Sequence, residues 1–192
     1  EDGSGFNSVG GAEWALDPMT GDLWALPDLG RGGWENVTEL NTGSRDHVAI
    51  LLADDSSPVD ADDYDANQAT GDADVEAAPL FLYVGEKDGD GDFPARNGLR
   101  GGKLHVFVAD NGARTPADFN TSGQLNGSWV EVDNAPTGTP SQDGSTGYDE
   151  YGYPTQRTLW TRADDLGAFG FSRPEDVATN PQNGREAVLA ST

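Results

Sequence analysis

Two stretches decide how this chain is read, EWALDPMTGDLWAL at 13–26 and DVATNPQNGREAVLA at 176–190. They share one frame: Ala, one residue, Asp or Asn, Pro, two residues, Gly, then an apolar run. Pro18 answers to Pro181, Gly21 to Gly184 and Asp17 to Asn180. In such a frame the Asp or Asn side chain caps a turn, Pro presets φ, and Gly accepts a positive φ before the return strand. The frame predicts two β-hairpins. A repeated hairpin is a mark of β-propellers, whose blades are small meanders. Two unrelated hairpins with ordinary turn chemistry are the alternative.

Working outward, short apolar runs recur, each fenced by Gly, Pro, Asp or Asn. Strand candidates are AEWAL (12–16), DLWAL (22–26), HVAILL (47–52), LFLYVG (80–85), KLHVFVA (103–109), SWVEV (128–132), TLWTR (158–162), DVAT (176–179) and EAVLAS (186–191). None carries the i, i+3, i+4, i+7 spacing of a long helix, so the reading is all-β. Five Trp, five Tyr and seven Phe supply a core although only 35% of residues are hydrophobic. The 192 residues are read as a single β-propeller-like domain over 1–192. A propeller needs several blades, and the last strand candidate runs to the final residues, so the expectation is a piece of a longer protein. Two long polar stretches, 51–79 and 133–157, interrupt the strands; loops of that length in a compact domain are usually functional, metal-ordered or disordered.

Charge is the strongest compositional signal. Asp and Glu number 34 against 11 Lys and Arg, a formal net charge of −23. Such a surface repels nucleic acid and anionic membranes. It suits high salt, where screening shortens the Debye length to about 3 Å at 1 M, and acidic clusters also attract hard cations such as Ca²⁺. The absence of cysteine removes disulfides, thiolate-zinc sites and thiol nucleophiles. No apolar run approaches the length of a membrane span, and no signal peptide is visible.

Several residue sets carry possible chemistry. KDGDGDF places Asp88, Asp90 and Asp92 alternately with Gly, like the front half of a calcium loop. Its back half departs from an EF-hand, since Phe93 stands where the loop glycine belongs and Leu99 where the bidentate Glu belongs. A calcium site completed from elsewhere and a solvated acidic turn are the two readings. The insert with Asp60, Asp62, Asp63, Asp65, Asp72 and Asp74 has similar content and poorer spacing. Asp54 and Asp55 end the run HVAILLA, where a strand would fix their direction toward a metal. Arg96, Arg100 and Lys103 stand among Gly98, Gly101 and Gly102, a setting for a phosphate or carboxylate or for balancing the acidic loops. His47 and His105 fall in strand patterns and read as packed residues first. The five tryptophans, including Trp14, Trp24, Trp34, Trp129 and Trp160, read as core before ligand platform.

The order of motifs RGGWENVTELNTGSRDHVAILLADD, PLFLYVGEK, RNGLRGGKLHVFVAD and FSRPEDVATNPQNGREAVLAST, spanning about 31–192, resembles the secreted bacterial PhoX-type alkaline phosphatases and their phytase-like relatives. The resemblance implies a β-propeller whose channel holds calcium, with iron in one branch, for phosphomonoester hydrolysis outside the cytoplasm. Residue by residue, the resemblance implies that Glu175 of the Arg173-Pro174-Glu175-Asp176 motif is a metal ligand and that Arg173 lies beside it, facing substrate or orienting the carboxylate. Arg173 and Glu175 are thus the implied catalytic pair; a surface ion pair is the alternative. Iron in that family involves a cysteine, and these residues hold none, so either that segment lies outside them or the chain belongs to a calcium-only or non-catalytic branch. Calcium is the implied metal and iron the alternative. The sequence-level expectation is therefore a secreted or periplasmic calcium-dependent phosphoester hydrolase from a saline setting, acting on a small phosphoester. A non-catalytic, calcium-stabilised structural or adhesion propeller is the rival.

Overall fold

The run HVAILLAD forms the best-buried long strand among the described residues. In the computed structural model, which describes residues 9–55, 77–119 and 123–191, β4 (His47–Asp54) has only its first residue exposed. It lies in a five-stranded antiparallel sheet of order β3-β4-β6-β7-β8, with β3 at Trp34–Leu40, β6 at Phe81–Glu86, β7 at Lys103–Ala109 and β8 at Gly127–Val132. Side chains alternate across a strand. Val48, Ile50 and Leu52 join one hydrophobic cluster, and Ala49, Leu51 and Ala53 join another. A strand covered on both faces needs a continuous apolar run, and β4 has one.

The first face carries the larger core. Phe81, Tyr83, Leu104 and Val106 meet Leu159, Trp160 and Ala163 there. Those last three belong to α2 (Gln156–Asp165), so TLWTR is helical and the strand expectation for 158–162 is corrected. Thr155 caps the helix by accepting the Thr158 N–H, and Leu159, Trp160 and Ala163 share the buried side. Trp and Thr favour strands in isolation, but a cap and one apolar helical face outweigh that preference. A 3-10 turn at Pro27–Leu29 completes this side with buried Leu29.

The second face is covered by the carboxy-terminal hairpin of β10 (Pro174–Asn180) and β11 (Asn183–Ser191). Val177 and Leu189 pack on Ala49, Leu51, Ala53 and Leu82. The Thr38 and Thr179 hydroxyls are 3.2 Å apart. Two further two-stranded sheets are β1 (Trp14–Leu16) with β2 (Leu23–Ala25), and β5 (Ala77–Pro79) with β9 (Gly170–Ser172). β3, β5 and β9 are strands the sequence patterns did not single out. No sheet closes on itself among the described residues.

Both frame-sharing stretches are hairpins, but their turns differ. Gly21 has φ +81° and the Gly21 N–H donates to Asp17 O at 2.7 Å. In the second hairpin Asn180 pairs directly with Asn183, so Gly184 lies inside β11 without a positive φ. Its glycine requirement is steric: a Cβ there would stand 2.3 Å from Asn41 Cβ. The expected positive φ at Gly184 is thus corrected to close packing.

The polar stretch 133–157 is organised by one buried carboxylate. Asp149 is 1% exposed; its Oδ2 accepts from Arg31 Nε at 3.1 Å and Nη2 at 2.6 Å. Its Oδ1 accepts the N–H groups of Tyr151 and Tyr153, each at 2.9 Å. The acidic residues Asp60 to Asp74 of the insert lie outside the described residues. No helix among the described residues is long and apolar enough to cross a membrane.

Candidate functional site

Arg173 joins β9 to β10 with φ +40°, the positive φ of a non-glycine residue that stands alone among the described residues. A side-chain-bearing residue in that region costs about 1–3 kcal/mol and persists only where its surroundings enforce it. Pro174 follows it, removing a backbone donor and restricting its neighbour. The Arg173 side chain makes ionic contacts. Arg173 Nη2 donates to Asp55 Oδ2 at 3.1 Å, Nε lies 3.1 Å from Asp55 Oδ1, and Nη2 lies 3.5 Å from Glu175 Oε1.

A second irregularity lies beside the first. Pro174 pairs with Ser191 and Val177 with Leu189, so Glu175 and Asp176 together oppose Ala190. Two residues against one make a β-bulge, which re-aims side chains and is frequent beside active sites. It accounts for an Arg, a Glu and an Asp crowding one proline: strand entry, bulge and ion pair occupy consecutive residues. Asn36 Nδ2 donates to Asp176 Oδ1 at 3.3 Å and ties the bulge to β3. Arg173, Glu175 and Asp55 keep 40%, 30% and 16% side-chain exposure, which leaves the cluster within reach of a ligand.

Asp54 and Asp55 part company. Asp54 continues the Val48, Ile50, Leu52 face and is fully buried, accepting from Trp160 Nε1 at 3.0 Å, Gln156 Nε2 at 2.9 Å and the Gly33 N–H at 3.1 Å. Asp55 continues the other face and meets Arg173. The structure therefore brings together Arg173, Glu175 and Asp55, and places Asp54 across the sheet from them.

The remaining predicted residues lie away from this cluster, on the 88–100 turn and in β4 and β7. Asp88 Oδ1 accepts the Asp90 N–H at 3.0 Å. Asp92 Oδ1 caps α1 (Phe93–Arg96) through the Ala95 N–H at 3.1 Å, and its Oδ2 lies 3.0 Å from Arg100 Nη2. Arg96 Nη1 donates to Gly91 O at 2.9 Å and Lys103 Nζ to Glu131 Oε1 at 2.8 Å. The three cations thus engage three different partners. His105 Nδ1 lies 3.2 Å from Leu82 O, and His47 Nδ1 lies 3.3 Å from Ser44 Oγ.

No group of three His, Cys, Asp or Glu side chains converges on a metal position among the described residues. The oxygen chemistry beside Arg173 nevertheless suits a hard cation. Asn36 Oδ1 is a buried acceptor that receives no hydrogen bond, while Asp55 Oδ1 already faces Arg173 Nε at 3.1 Å as an ion pair; Ca²⁺ takes carboxylate and amide oxygens. Asn36 and Gln156 escaped the sequence reading, and Trp160, read there as a core residue, is buried in the core and also donates to Asp54. Each reaches the site across more than 100 residues of chain, and the one local signal was the strand-like alternation of WENVTEL.

No family model matches the chain, and no curated protein matches it significantly. A similar solved structure is PhoX of Pseudomonas fluorescens in complex with vanadate, a transition state analogue, at 21% identity and a TM-score of 0.48. The likeness covers 89% of this chain and 25% of that one, so the chain spans about a quarter of that protein's length.

Proposed function

We propose that the chain carries part of the active centre of a PhoX-like phosphoester hydrolase, with Arg173 as the phosphate contact. The supporting observation is the strained, partly exposed Arg173 held against Asp55 at the edge of a bulge. A guanidinium presents several donors in a fixed fork that matches phosphate oxygens. Donors fixed before substrate arrives stabilise charge as it develops on the phosphoryl group. Asp55 sets the guanidinium's direction from the end of β4, and the bulge turns Glu175 toward the same face. Glu175 and Asp55, with the Asn36 amide oxygen, are the residues that would hold Ca²⁺. When bound, such an ion supplies Lewis acidity and lowers the pKa of a bound water.

The proposed architecture is an arc of a β-propeller. In its favour, the carboxy-terminal hairpin packs on the second face of the five-stranded sheet through Val177 and Leu189, and Ala15 of β1 touches the core of the first face. The −23 charge supports a saline setting, and the PhoX-type resemblance is what suggests an extracytoplasmic one.

A structural propeller is the second reading, favoured by the engagement of Asp55 with Arg173, since that pair also pins the hairpin. Hydrolysis of a generic phosphomonoester in high salt, before and after chelation and calcium add-back, separates the two. Activity lost with chelator and restored by calcium supports the hydrolase. Calcium-dependent melting with no turnover under any metal supports the structural role.

A further inference from the structure

Asp54 and Asp55 face opposite sides of the sheet, yet one residue connects them. The Gly33 N–H donates to Asp54 Oδ1 at 3.1 Å, and the Asp55 N–H donates to Gly33 O at 3.1 Å. On the far side Asp54 is gripped by α2, through Gln156 Nε2 at 2.9 Å and Trp160 Nε1 at 3.0 Å. A continuous series of hydrogen bonds therefore runs from α2 through Asp54 and Gly33 to Asp55, and on to Arg173 at 3.1 Å. Every link is a directional contact between groups with little freedom: a helix in the core, a fully buried carboxylate and a strand end.

A buried carboxylate is stable only where donors replace its lost water. Asp54 draws its donors from two separate segments, so its position is set by both, and the peptide that follows it inherits that position. We infer that Asp54 is a positioning residue that fixes the direction in which Asp55 meets Arg173, making α2 part of the support of the Arg173 cluster. The inference deepens the phosphate-contact reading of Arg173 and rests on it for its functional meaning.

The test reads Arg173 directly. Its Nε–H resonance in ¹⁵N-resolved NMR reports the contact with Asp55, and inorganic phosphate titration reports the anion site. Trp160→Phe removes one donor while keeping a large ring, and Asp54→Asn removes acceptor capacity. Leu159→Ala is the control, since it weakens the same buried helix face without touching Asp54. Circular dichroism confirms which variants are folded. Trp160→Phe and Asp54→Asn should shift the Arg173 Nε–H toward that of free arginine and weaken phosphate binding by about threefold to tenfold, the usual range for residues that act through neighbours. Leu159→Ala should leave both unchanged at a temperature where it is folded. An Arg173 signal unmoved in folded Trp160→Phe, or moved equally by Leu159→Ala, overturns the inference. An Arg173 signal that moves as expected in a protein that binds no phosphate upholds the positioning role and removes the phosphate reading instead.

Discussion

Asp54 and Asp55 are adjacent in sequence and serve opposite faces of one sheet, Asp54 fully buried against Trp160 and Asp55 paired with Arg173. Two carboxylates in succession look like a metal pair in a sequence, but strand alternation directs them apart. The two should therefore respond differently to removal. Asp54→Ala leaves the indole of Trp160, the amide of Gln156 and the Gly33 N–H facing an apolar methyl, and should cost about 2–4 kcal/mol. Asp55→Ala breaks a partly exposed ion pair and should cost about 1 kcal/mol. Urea denaturation of both variants checks the ordering, and equal losses would contradict it.

Arg173 adopts its positive φ at a cost to stability. In Arg173→Gly a strain of about 1–3 kcal/mol is relieved while an ion pair worth at most about 1 kcal/mol is lost. Stability should hold or rise by up to about 2 kcal/mol, while phosphate binding disappears. Thermal unfolding and phosphate titration of the same sample test this. A variant that loses stability heavily would assign Arg173 to the scaffold.

With a net charge of −23, the folded chain repels itself at low ionic strength. The melting temperature should rise as salt approaches molar concentration and the Debye length shrinks to about 3 Å. A protein most stable in dilute buffer would contradict the saline reading.

Alkaline pH should weaken the fold through two tyrosines. Burial, reinforced by the charge of Asp28, pushes the Tyr153 hydroxyl up to about 12. Tyr153 donates to Asp28 Oδ1 at 3.1 Å, a bond its protonated form alone can make. Burial raises Tyr83 as well. With the folded pKa above the unfolded value near 10, both states are protonated below pH 10 and stability is unaffected there. Above pH 10 the unfolded chain releases the proton first, so stability falls between pH 10 and 12. Tyr153→Phe should flatten that decline in denaturation curves taken from pH 9 to 12.

The strands were legible wherever an apolar run met a turn signal, as at HVAILL, KLHVFVA and the two Pro-Gly hairpins. Alternating, half-polar WENVTEL was missed because its polar members look outward or toward a hairpin that arrives 140 residues later. TLWTR was misread because Trp and Thr favour strands, while the Thr155 cap and the Leu159, Trp160, Ala163 face were the stronger evidence. In the site, Arg173 and Glu175 were visible as a motif, and Asp55 as a strand end. The opposite roles of Asp54 and Asp55 follow from register, and the parts played by Asn36, Gln156 and Trp160 follow from long-range packing, neither of which local sequence records.

The most direct test of the central claim is turnover of p-nitrophenyl phosphate in high salt with calcium, comparing the protein with Glu175→Gln and Arg173→Lys. Both variants should be folded, with kcat reduced by about 10²–10³ for Arg173→Lys, the scale of losing a donor aimed at developing charge, and by at least as much for Glu175→Gln. Turnover by both variants at the rate of the unaltered protein would contradict the claim.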